Sequence, residues 1–415
     1  MQVGSSITTI SGKTFKVVNF LDSGGEAFLY ETLNNDTNEK GVIKIFRGNF
    51  DRHEKEERIR YLMNFNLHRK SSHIIAPRDI YFGNGEIGYL MPFVPGIQLV
   101  EFLEKPKFSF KEGIQIALDL CRLVKILHRQ NIAYGDLNHK NIMINQNGNG
   151  IDVYCIDLDN YSTPNAPPSR MAGQLFFMPP EFNQAIKEKK HIIPTISSDI
   201  FSLSVVLSEI ILLISPSVGS DGSPEEITQA LSLPWRLDPV FIDSHSNPYG
   251  NYPVAVLNNE LCGLFRRGIN PNINNRPTVF DWIKALEKAL SRIYICPECG
   301  CPTIIDQSKN FCSFKKHPFE RLGLLINKNQ NIIPFDRSAL IIGRDQIGCS
   351  DKISKIHICC ERIGPHIWIN PIGLNGTFRW SGTNWIKLQN KKTILLKKND
   401  KLRIADIEVN VITIN

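Results

Sequence analysis

A polar loop followed directly by an apolar strand constrains the fold of this chain more than any other feature. Within the loop 133–141, Asp136 and Asn141 stand five residues apart, and the strand 142–144 begins immediately afterwards. The next strand along the chain ends at Asp157. Neither a helix cap nor an ordinary turn explains an aspartate and an asparagine at this spacing. The pattern therefore predicts a loop that carries chemistry.

Strand patterns precede this loop and helical patterns follow it. Residues 14–47 contain three short strand-like runs, separated by a glycine-containing turn and a polar loop, and residues 51–69 then have helical periodicity. Two more strands are predicted at 79–82 and 87–93. The helices predicted beyond them span 111–129, 198–214, 258–267 and 279–293. The sequence thus predicts a small antiparallel sheet followed by a mainly helical lobe.

Lys44 lies in the third strand-like run, with apolar residues on both sides. A lysine in such a place would be an unusual core residue unless it meets an anion. Phosphoryl transfer requires backbone amides over the phosphates, a lysine to hold them, oxygen ligands for magnesium and a base beside the attacking hydroxyl. The glycine-containing turn, Lys44, Asp136, Asn141 and Asp157 supply a candidate for each part in chain order.

In this order the motifs resemble the protein kinase family, and the resemblance implies a two-lobed α+β fold with ATP and Mg²⁺ or Mn²⁺ as cofactors. Lys44 would hold the ATP phosphates, and Asp136 would orient and deprotonate a substrate hydroxyl. Asn141 would bind the metal. Asp157 is the preferred second metal ligand, and Asp159 is the alternative.

The resemblance also assigns the rest of the nucleotide site. Gly24 and Gly25 would lie over the phosphates, while Met91 and Phe93, at the end of the strand 87–93, would contact the nucleotide. Lysines in the position of Lys44 pair with a glutamate on the following helix in this family.

Glu57 is the predicted helix partner of Lys44, and Glu54 and Glu56 are close rivals on the same charged stretch. Farther along the chain, Glu181 and Arg276 are predicted to pair and to hold the helical lobe together.

Several positions depart from the kinase pattern. Tyr134 and Gly135 replace the usual His-Arg pair, Asn138 replaces a lysine, and two glycines of the phosphate loop are missing. These departures leave open a pseudokinase scaffold that binds nucleotide without transfer. Residues 156–159 also resemble the Ile-Asp-x-acid motif of small-molecule kinases for aminoglycosides or choline, which is a further alternative.

A short cysteine-rich segment follows the helical lobe. Cys296 and Cys299 form a C-x2-C-G knuckle, whose turn allows two thiolates to face one tetrahedral ion. Cys312 and His317 could complete the ligand set, although Cys301 could replace either of them. The pattern predicts a structural Zn²⁺ site in a zinc-ribbon-like segment, because so short a segment cannot form a core of its own.

About ten short strand patterns separated by turns extend from residue 322 to residue 414, and they predict an all-β sandwich without a helix. The motifs around Gly343 and Arg344, around Ser354 and His357, and around Asn375 together resemble the forkhead-associated (FHA) domain. The resemblance implies binding of phosphothreonine, with contacts from Arg344, Ser354, Lys355 and Asn375. The alternative is a sandwich used only for packing or dimerisation.

The predicted organisation is a kinase domain at 1–290, with an N-lobe at 12–93 and a C-lobe at 94–290, then the zinc-binding linker at 291–320 and the FHA domain at 321–415. This order resembles bacterial eukaryotic-like serine/threonine kinases of the TerY-phosphorylation triad. The resemblance implies protein substrates, phosphothreonine-containing proteins, a PP2C-type phosphatase and a von Willebrand A-type protein as partners.

Charge is unevenly distributed along the chain. The formal net charge is +7, and residues 291–415 hold 19 Lys and Arg against 10 Asp and Glu, so the basic surplus lies there. Few aromatic residues interleave with these lysines, so a solvated face is favoured and nucleic acid is not an expected partner. With neither a secretory signal nor an apolar run long enough to cross a bilayer, the expected location is the cytoplasm, without membrane association.

Overall fold

The structure is a computed structural model that describes residues 1–48, 50–83, 85–104, 108–148, 150–168, 173–217, 222–243, 252–306, 308–348 and 350–414. The chain divides into two compact units. The first is formed mainly by Met1–Ile242 and Leu261–Glu287, and the second mainly by Pro253–Glu260 and Lys288–Asn415. Each unit has its own apolar core.

The first unit begins with a six-stranded antiparallel sheet in the order β1-β2-β3-β4-β6-β5. Its strands are β1 (Ser6–Thr8), β2 (Thr14–Ser23), β3 (Ala27–Asn34), β4 (Lys40–Phe46), β5 (Asp79–Gly83) and β6 (Glu86–Pro92). Side chains alternate between the two faces of a strand. Ile43 and Ile45 pack on one face, and Phe46 and Tyr89 pack on the other. Lys44 therefore points to the face that Phe46 and Tyr89 share.

Two helices follow β4, namely α1 (Arg52–Asn64) and α2 (Leu67–Lys70). The Asp51 carboxylate accepts hydrogen bonds from the backbone amides of His53 and Glu54 and so caps α1. Ile59 and Leu62 are buried, and Ile59 packs with Phe46 and Tyr89 of the sheet. The inner face of α1 therefore lies over the face of the sheet that carries Lys44.

The rest of the first unit is mainly helical, as predicted. It contains α3 (Leu99–Glu104), α4 (Phe110–His128), α5 (Pro180–Lys187), α6 (Ile196–Leu212), α7 (Pro224–Leu231), α8 (Asn259–Gly268) and α9 (Val279–Leu290). β7 (Ile97–Gln98), β8 (Ile142–Asn147) and β9 (Gly150–Cys155) form a small sheet, and the polar loop 133–141 leads directly into β8. Helix α9 ends before its predicted limit because the chain continues into a strand.

Capping boxes begin two central helices. Ser109 and Glu112 exchange hydrogen bonds at the start of α4, and Thr195 and Ser198 do so at the start of α6. Nearly every side chain of α6 is buried, which explains its apolar sequence. Among the described residues, no helix combines the length and the apolar character needed to cross a membrane.

The second unit contains a short hairpin, β10 (Ile293–Ile295) with β11 (Pro302–Ile304), and two larger sheets. One sheet has the order β13-β12-β21-β20-β17-β18, and the other has the order β14-β15-β16-β19. The strands are β12 (Leu322–Ile326), β13 (Ile332–Pro334), β14 (Ala339–Ile342), β15 (Ile358–Ile363), β16 (His366–Pro371), β17 (Thr377–Trp380), β18 (Trp385–Lys387), β19 (Ile394–Leu396), β20 (Lys401–Ile404) and β21 (Ile407–Thr413).

Alternating apolar side chains from both large sheets form one core, with Leu324, Ile358 and Val409 among its fully buried members. The prediction of a segment without helices is wrong in one place, because Arg344–Ile347 forms one short helix, α10. A four-residue helix has too few residues to show periodicity in the sequence.

Candidate active site and metal centre

Lys44 of β4 meets two carboxylates of the segment that follows β9. Its Nζ lies 2.5 Å from Oδ1 of Asp157 and 2.7 Å from Oδ2 of Asp159. Burial alone would lower the pKa of the Lys44 ammonium, but the charges of Asp159 and Asp157 outweigh burial and raise it. Lys44 therefore remains a cation at physiological pH.

The two carboxylates have different surroundings. The Asp157 side chain is 37% exposed and the Asp159 side chain is 8% exposed. Burial raises the pKa of Asp157 against the opposing charge of Lys44, whereas for Asp159 the Lys44 charge prevails over burial and lowers the pKa. Asp157 also has a φ of 56°, in the left-handed region that non-glycine residues seldom adopt and that recurs at functional sites.

The predicted base lies in a loop closed by its own side chains. Asn138 Nδ2 donates to Asp136 Oδ1 at 2.8 Å, and Asn141 Nδ2 donates to the Asp136 backbone oxygen at 2.9 Å and to its Oδ2 at 3.3 Å. Asn138 and Asn141 are buried. Burial raises the pKa of Asp136 to about 6, with the Asn138 hydrogen bond opposing it.

Tyr134, at the position of the missing histidine, joins this loop to the segment after β9. It is fully buried, and its hydroxyl donates to the backbone oxygens of Asn141 (3.0 Å) and Ile156. The Ile156 amide also donates to the Asn141 oxygen at 3.0 Å. The predicted metal ligands Asn141 and Asp157 are thus held on neighbouring loops.

Asp199, near the start of α6, anchors the same loop from below. It is buried, and its carboxylate accepts hydrogen bonds from the amides of Tyr134 (2.6 Å) and Gly135 (3.1 Å). Gly135 has a φ of 84°, and an added Cβ would lie 2.0 Å from the backbone oxygen of Asn160. The chain path therefore requires glycine where the family usually has arginine.

The other predicted nucleotide contacts lie around the sheet. Gly24 and Gly25 form the turn between β2 and β3, where the Gly24 amide donates to the Ala27 oxygen at 3.0 Å. Met91 is half-buried in β6 opposite Val42 of β4. Phe93 follows β6 and is also half-buried.

The structure does not bring Glu57 to Lys44. The Glu57 side chain is 68% exposed and pairs with His53 on the outer face of α1, and Glu56 pairs with Arg60. The choice of Glu57 is therefore corrected. The buried residues Ile59 and Leu62 define the inner face of α1, and Glu57 lies on a different side of the helix. The ion-pair partners recorded for Lys44 in the described part of the chain are Asp157 and Asp159.

The predicted pair of Glu181 and Arg276 forms a bidentate ion pair, with both N···O distances at 2.7 Å. Arg276 also donates to the backbone oxygens of Ser197 and Asn270. This pair joins the start of α5 to the loop between α8 and α9, and Arg276 also contacts the first turn of α6 through Ser197.

A lysine on an N-terminal sheet, an aspartate-asparagine loop and an aspartate after the next strand define the class of two-lobed phosphotransferases with the protein kinase fold. The Protein kinase domain family matches residues 15–289, which are more than half of the chain. The chain belongs to this family, and the prediction of a protein kinase fold is confirmed.

Curated relatives match parts of the same region. Myosin light chain kinase 3 of Danio rerio is 24% identical over 224 residues, which are 53% of this chain and 30% of that protein. A protein of Clostridium acetobutylicum named as a probable serine/threonine-protein kinase is 23% identical over 212 residues, 49% of this chain and 30% of its own. A serine/threonine-protein kinase of Schizosaccharomyces pombe is 29% identical over 119 residues, 28% of this chain and 27% of its own. The matched part thus spans less than a third of each of these relatives.

In the second unit, the predicted zinc ligands lie together. Sγ of Cys296, Cys299 and Cys312 and a ring nitrogen of His317 all lie within 4.8 Å of one another. The Cys299 and Cys312 sulfurs are 3.9 Å apart, and the Cys296 sulfur is 3.4 Å from His317 Nδ1. Tetrahedral zinc with Zn–S of about 2.3 Å and Zn–N of about 2.0 Å requires S···S of roughly 3.8 Å and S···N of roughly 3.5 Å.

The turn around the knuckle explains this geometry. Gly300 has a φ of 69°, and its amide donates to the Cys296 oxygen at 2.8 Å. The Cys301 thiol donates to the Cys299 backbone oxygen at 3.5 Å and is not among the four clustered ligand atoms. Three cysteines and one histidine therefore form a candidate metal centre, and Cys301 stands beside it.

The residues predicted to bind phosphothreonine lie on neighbouring loops of the larger sheets. The buried His357 ring links these loops, because its Nδ1 accepts from the Ser354 amide (3.2 Å) and its Nε2 lies 3.1 Å from the Gly376 oxygen. An added Cβ on Gly343 would lie 1.8 Å from the Lys355 oxygen, and one on Gly373 would lie 2.3 Å from the His357 ring. Gly373 is therefore a steric requirement.

Side chains at the rim remain accessible. Arg344 is exposed and donates to the backbone oxygens of Asp351 and Ile353, both at 2.9 Å. Ser354 Oγ accepts from the Leu374 amide at 3.3 Å, and exposed Asn375 donates to the Lys352 oxygen at 2.6 Å. Exposed Lys355 follows Ser354 directly in the chain.

Proposed function

We propose that this protein is an ATP-dependent serine/threonine protein kinase. The observation that carries the proposal is the Lys44–Asp157 ion pair, which joins the N-terminal sheet to the segment beside the Asp136 loop. Family membership over residues 15–289 supports the same conclusion.

Each residue has a defined role in this proposal. Asp157 and Asn141 offer oxygen ligands, which Mg²⁺ prefers, and Lys44 supplies a fixed cation for the phosphates of ATP. Bound Mg²⁺ supplies charge neutralisation for the γ-phosphoryl group. Asp136 accepts the proton of the serine or threonine hydroxyl as that oxygen bonds to the γ-phosphorus, and the bond from this phosphorus to the β–γ bridging oxygen breaks, so that ADP leaves. Gly24 and Gly25 have no side chains that would keep the phosphates away from the backbone of this turn.

The pseudokinase alternative rests on the missing histidine, arginine and lysine of the loop. Tyr134 and Asp199 hold the loop by other hydrogen bonds, and Asn138 contacts Asp136 in place of a lysine. These substitutions favour a functioning loop. A small-molecule kinase is less well supported, because Pro179, Pro180 and Glu181 resemble the end of a protein kinase activation segment and Glu181 makes the pair with Arg276.

Labelled ATP and Mg²⁺ supplied to the full chain, followed by phosphosite mapping, test the proposal. We expect Lys44→Ala and Asp157→Ala to lose at least about 100-fold in phosphoryl transfer, because each removes charge stabilisation at the phosphates. Lys16→Ala on β2 and Asp152→Ala on β9 are matched controls that should transfer normally. Transfer to choline or an aminoglycoside but not to protein would support the small-molecule alternative instead.

The four-residue cluster of the second unit supports a structural Zn²⁺ site. We expect about one zinc per chain, and loss of both zinc and local structure in a Cys296→Ser, Cys299→Ser double variant. Cys301→Ser is the matched control and should retain the metal, since the Cys301 thiol lies outside the cluster. Metal analysis of purified protein without zinc would contradict this site.

A second candidate function, binding of phosphothreonine by an FHA domain, is supported by the loops that His357 joins. A phosphate group carries nearly two negative charges and three acceptor oxygens, which suit a guanidinium, a hydroxyl and an ammonium from Arg344, Ser354 and Lys355. Asn375 would bind the ligand backbone. In this proposal the kinase phosphorylates protein substrates, and phosphorylated proteins bind to the FHA domain. A PP2C-type phosphatase and a von Willebrand A-type protein act together with the kinase. The proposed location is a bacterial cytoplasm.

A further inference from the structure

The partner that fixes Lys44 is a different residue from the helix glutamate that the kinase family uses. Two carboxylates reach its ammonium, and both come from the segment after β9. A residue that binds Mg²⁺ must have an oxygen free to turn toward the metal, whereas a residue that fixes a lysine must stay in place. The surroundings of Asp157 and Asp159 separate these two roles.

The Asp159 carboxylate has one ion-pair contact and one hydrogen bond, while the hydrogen bond that Lys44 donates goes to Asp157. Asp159 Oδ2 lies 2.7 Å from Lys44 Nζ, and Asp159 Oδ1 accepts a hydrogen bond from the Tyr89 hydroxyl at 2.7 Å. Lys44 and Tyr89 are directly opposite on β4 and β6, so the sheet itself holds both partners on one face. Asp157 is the more exposed carboxylate and lacks the contact with Tyr89, so it is freer to turn toward a metal.

The inner face of α1 is basic and holds the segment that carries Asp159. Arg58 donates to the backbone oxygens of Asp159 (3.4 Å), Tyr161 (2.5 Å) and Ala166 (3.0 Å), and its guanidinium lies 4.4 Å from the Tyr161 ring centre. The Tyr161 hydroxyl donates to the Arg58 oxygen at 2.9 Å. Lys55, one turn earlier, lies over the Phe46 ring, 4.6 Å from its centre.

We propose that Asp159 is the positioning residue that fixes Lys44, in place of an acidic residue on α1, while Asp157 is the metal ligand. Arg58 of α1 and Tyr89 of β6 hold Asp159 in place. The position of α1 therefore influences the position of the Lys44 ammonium through the segment after β9. This inference rests on the proposed kinase function, because it assumes that Lys44 binds the phosphates of ATP.

The test compares Asp159→Asn with Asp157→Asn in the full chain. For Asp159→Asn we expect kcat to fall at least about 10-fold, with the Mg²⁺ concentration for half-maximal rate changed by less than about twofold. Asp157→Asn should raise the Mg²⁺ requirement. Tyr89→Phe removes only the hydroxyl that Asp159 accepts from, and it should give the Asp159→Asn signature in a weaker form.

Rescue separates positioning from general damage to the fold. Lys55→Glu combined with Asp159→Asn places a carboxylate on the inner face of α1, and we expect this double variant to recover part of the lost kcat. Lys55→Glu alone should not increase kcat. An Asp159→Asn protein with normal kcat, or with the Mg²⁺ dependence of Asp157→Asn, would overturn the inference.

ATP binding measured with and without Mg²⁺ makes the two proposals distinguishable. The affinity for ATP with Mg²⁺, divided by the affinity without Mg²⁺, should be unchanged by Asp159→Asn and reduced by Asp157→Asn. If the two variants show this pattern but the unaltered protein transfers no phosphoryl group, the kinase proposal is contradicted and the roles of Asp157 and Asp159 in binding are not. If Asp159→Asn reduces the ratio as Asp157→Asn does, Asp159 is a metal ligand and the inference fails.

Discussion

The individual residues of the Asp136 loop show how polar side chains replace the usual charged ones. Asn138 donates to Asp136 where the family has a lysine, and the Asp199 carboxylate accepts from the amide of Gly135, which stands where the family has an arginine. No cation contacts Asp136 within the described residues, so burial dominates and its pKa rises to about 6. The protonation state of Asp136 is therefore sensitive to pH near neutrality.

This sensitivity predicts an acid limb in the pH profile. A carboxyl with a raised pKa is ionised above about pH 6 and protonated below it, and only the ionised form can accept the hydroxyl proton. We expect kcat/KM for MgATP to fall about tenfold per unit as pH decreases below 6. Initial rates from pH 5 to 8, with circular dichroism to check folding, measure this limb. A flat profile over that range would contradict the role of Asp136.

Sequence patterns identified Lys44, Asp136, Asn141 and Asp157 as neighbours, and the structure brings Lys44 to Asp157. The contacts of Tyr89 and Arg58 were missed, because strand register and helix orientation decide them. A signal for the error at Glu57 was present in the sequence. Ile59 and Leu62 mark the inner face of α1, and positions four residues earlier on that face are Lys55 and Arg58, so no glutamate of this stretch faces the sheet.

At the scale of elements, the helices were predictable because their apolar spacing and caps agree. The start of α6 depends on the capping box of Thr195 with Ser198, and its burial explains its apolar composition. The short helix α10 and the first strand β1 could not be predicted, since four and three residues are too few for a periodic signal. Ion pairs between elements then decide how the helical lobe is held.

The Arg276–Glu181 pair predicts a large loss of stability on truncation. Arg276 is 1% exposed and Glu181 is 15% exposed, so Arg276→Ala would leave a nearly buried carboxylate without its partner. We expect the free energy of unfolding of the first unit to fall by about 3–5 kcal/mol. Arg122→Ala, which removes an exposed pair with Asp119 and Glu287, should cost less than about 1 kcal/mol. Denaturant titration measures both, and equal losses would contradict this account.

At the scale of the whole molecule, the sequence predicted a kinase region followed by a metal-binding and a β-rich region. It could not predict that Pro253–Glu260, which lead into α8 and include its first two residues, belong to the second compact unit. Lys309 Nζ contacts the backbone oxygen of Leu257 at 2.6 Å, and the Asn259 amide donates to Asp306 at 2.8 Å. Contacts between residues about 50 positions apart leave no local pattern. The predicted domain limits therefore remain a prediction.

Two units with separate cores predict that phosphopeptide binding and phosphoryl transfer can be removed independently. Arg344→Ala in the full chain should weaken binding of a phosphothreonine peptide at least about 10-fold, because a charge-assisted hydrogen bond is lost, about 1.4 kcal/mol or more. The same variant should transfer phosphoryl groups normally, and Asp136→Asn should bind the peptide normally without transferring. Binding should also weaken as salt rises, since exposed charges are screened.

Calorimetry with matched phosphorylated and unphosphorylated threonine peptides measures this separation. Arg379→Ala is a control within the same unit, because Arg379 on β17 is already paired with the Asp400 carboxylate, and this variant should bind the peptide as the unaltered chain does. Equal binding of both peptides would make the β-rich region a packing or dimerisation domain. An Arg344→Ala protein with undiminished affinity for the phosphorylated peptide would place the phosphate contact elsewhere, because the guanidinium is the strongest anion-binding group that the His357 loops expose.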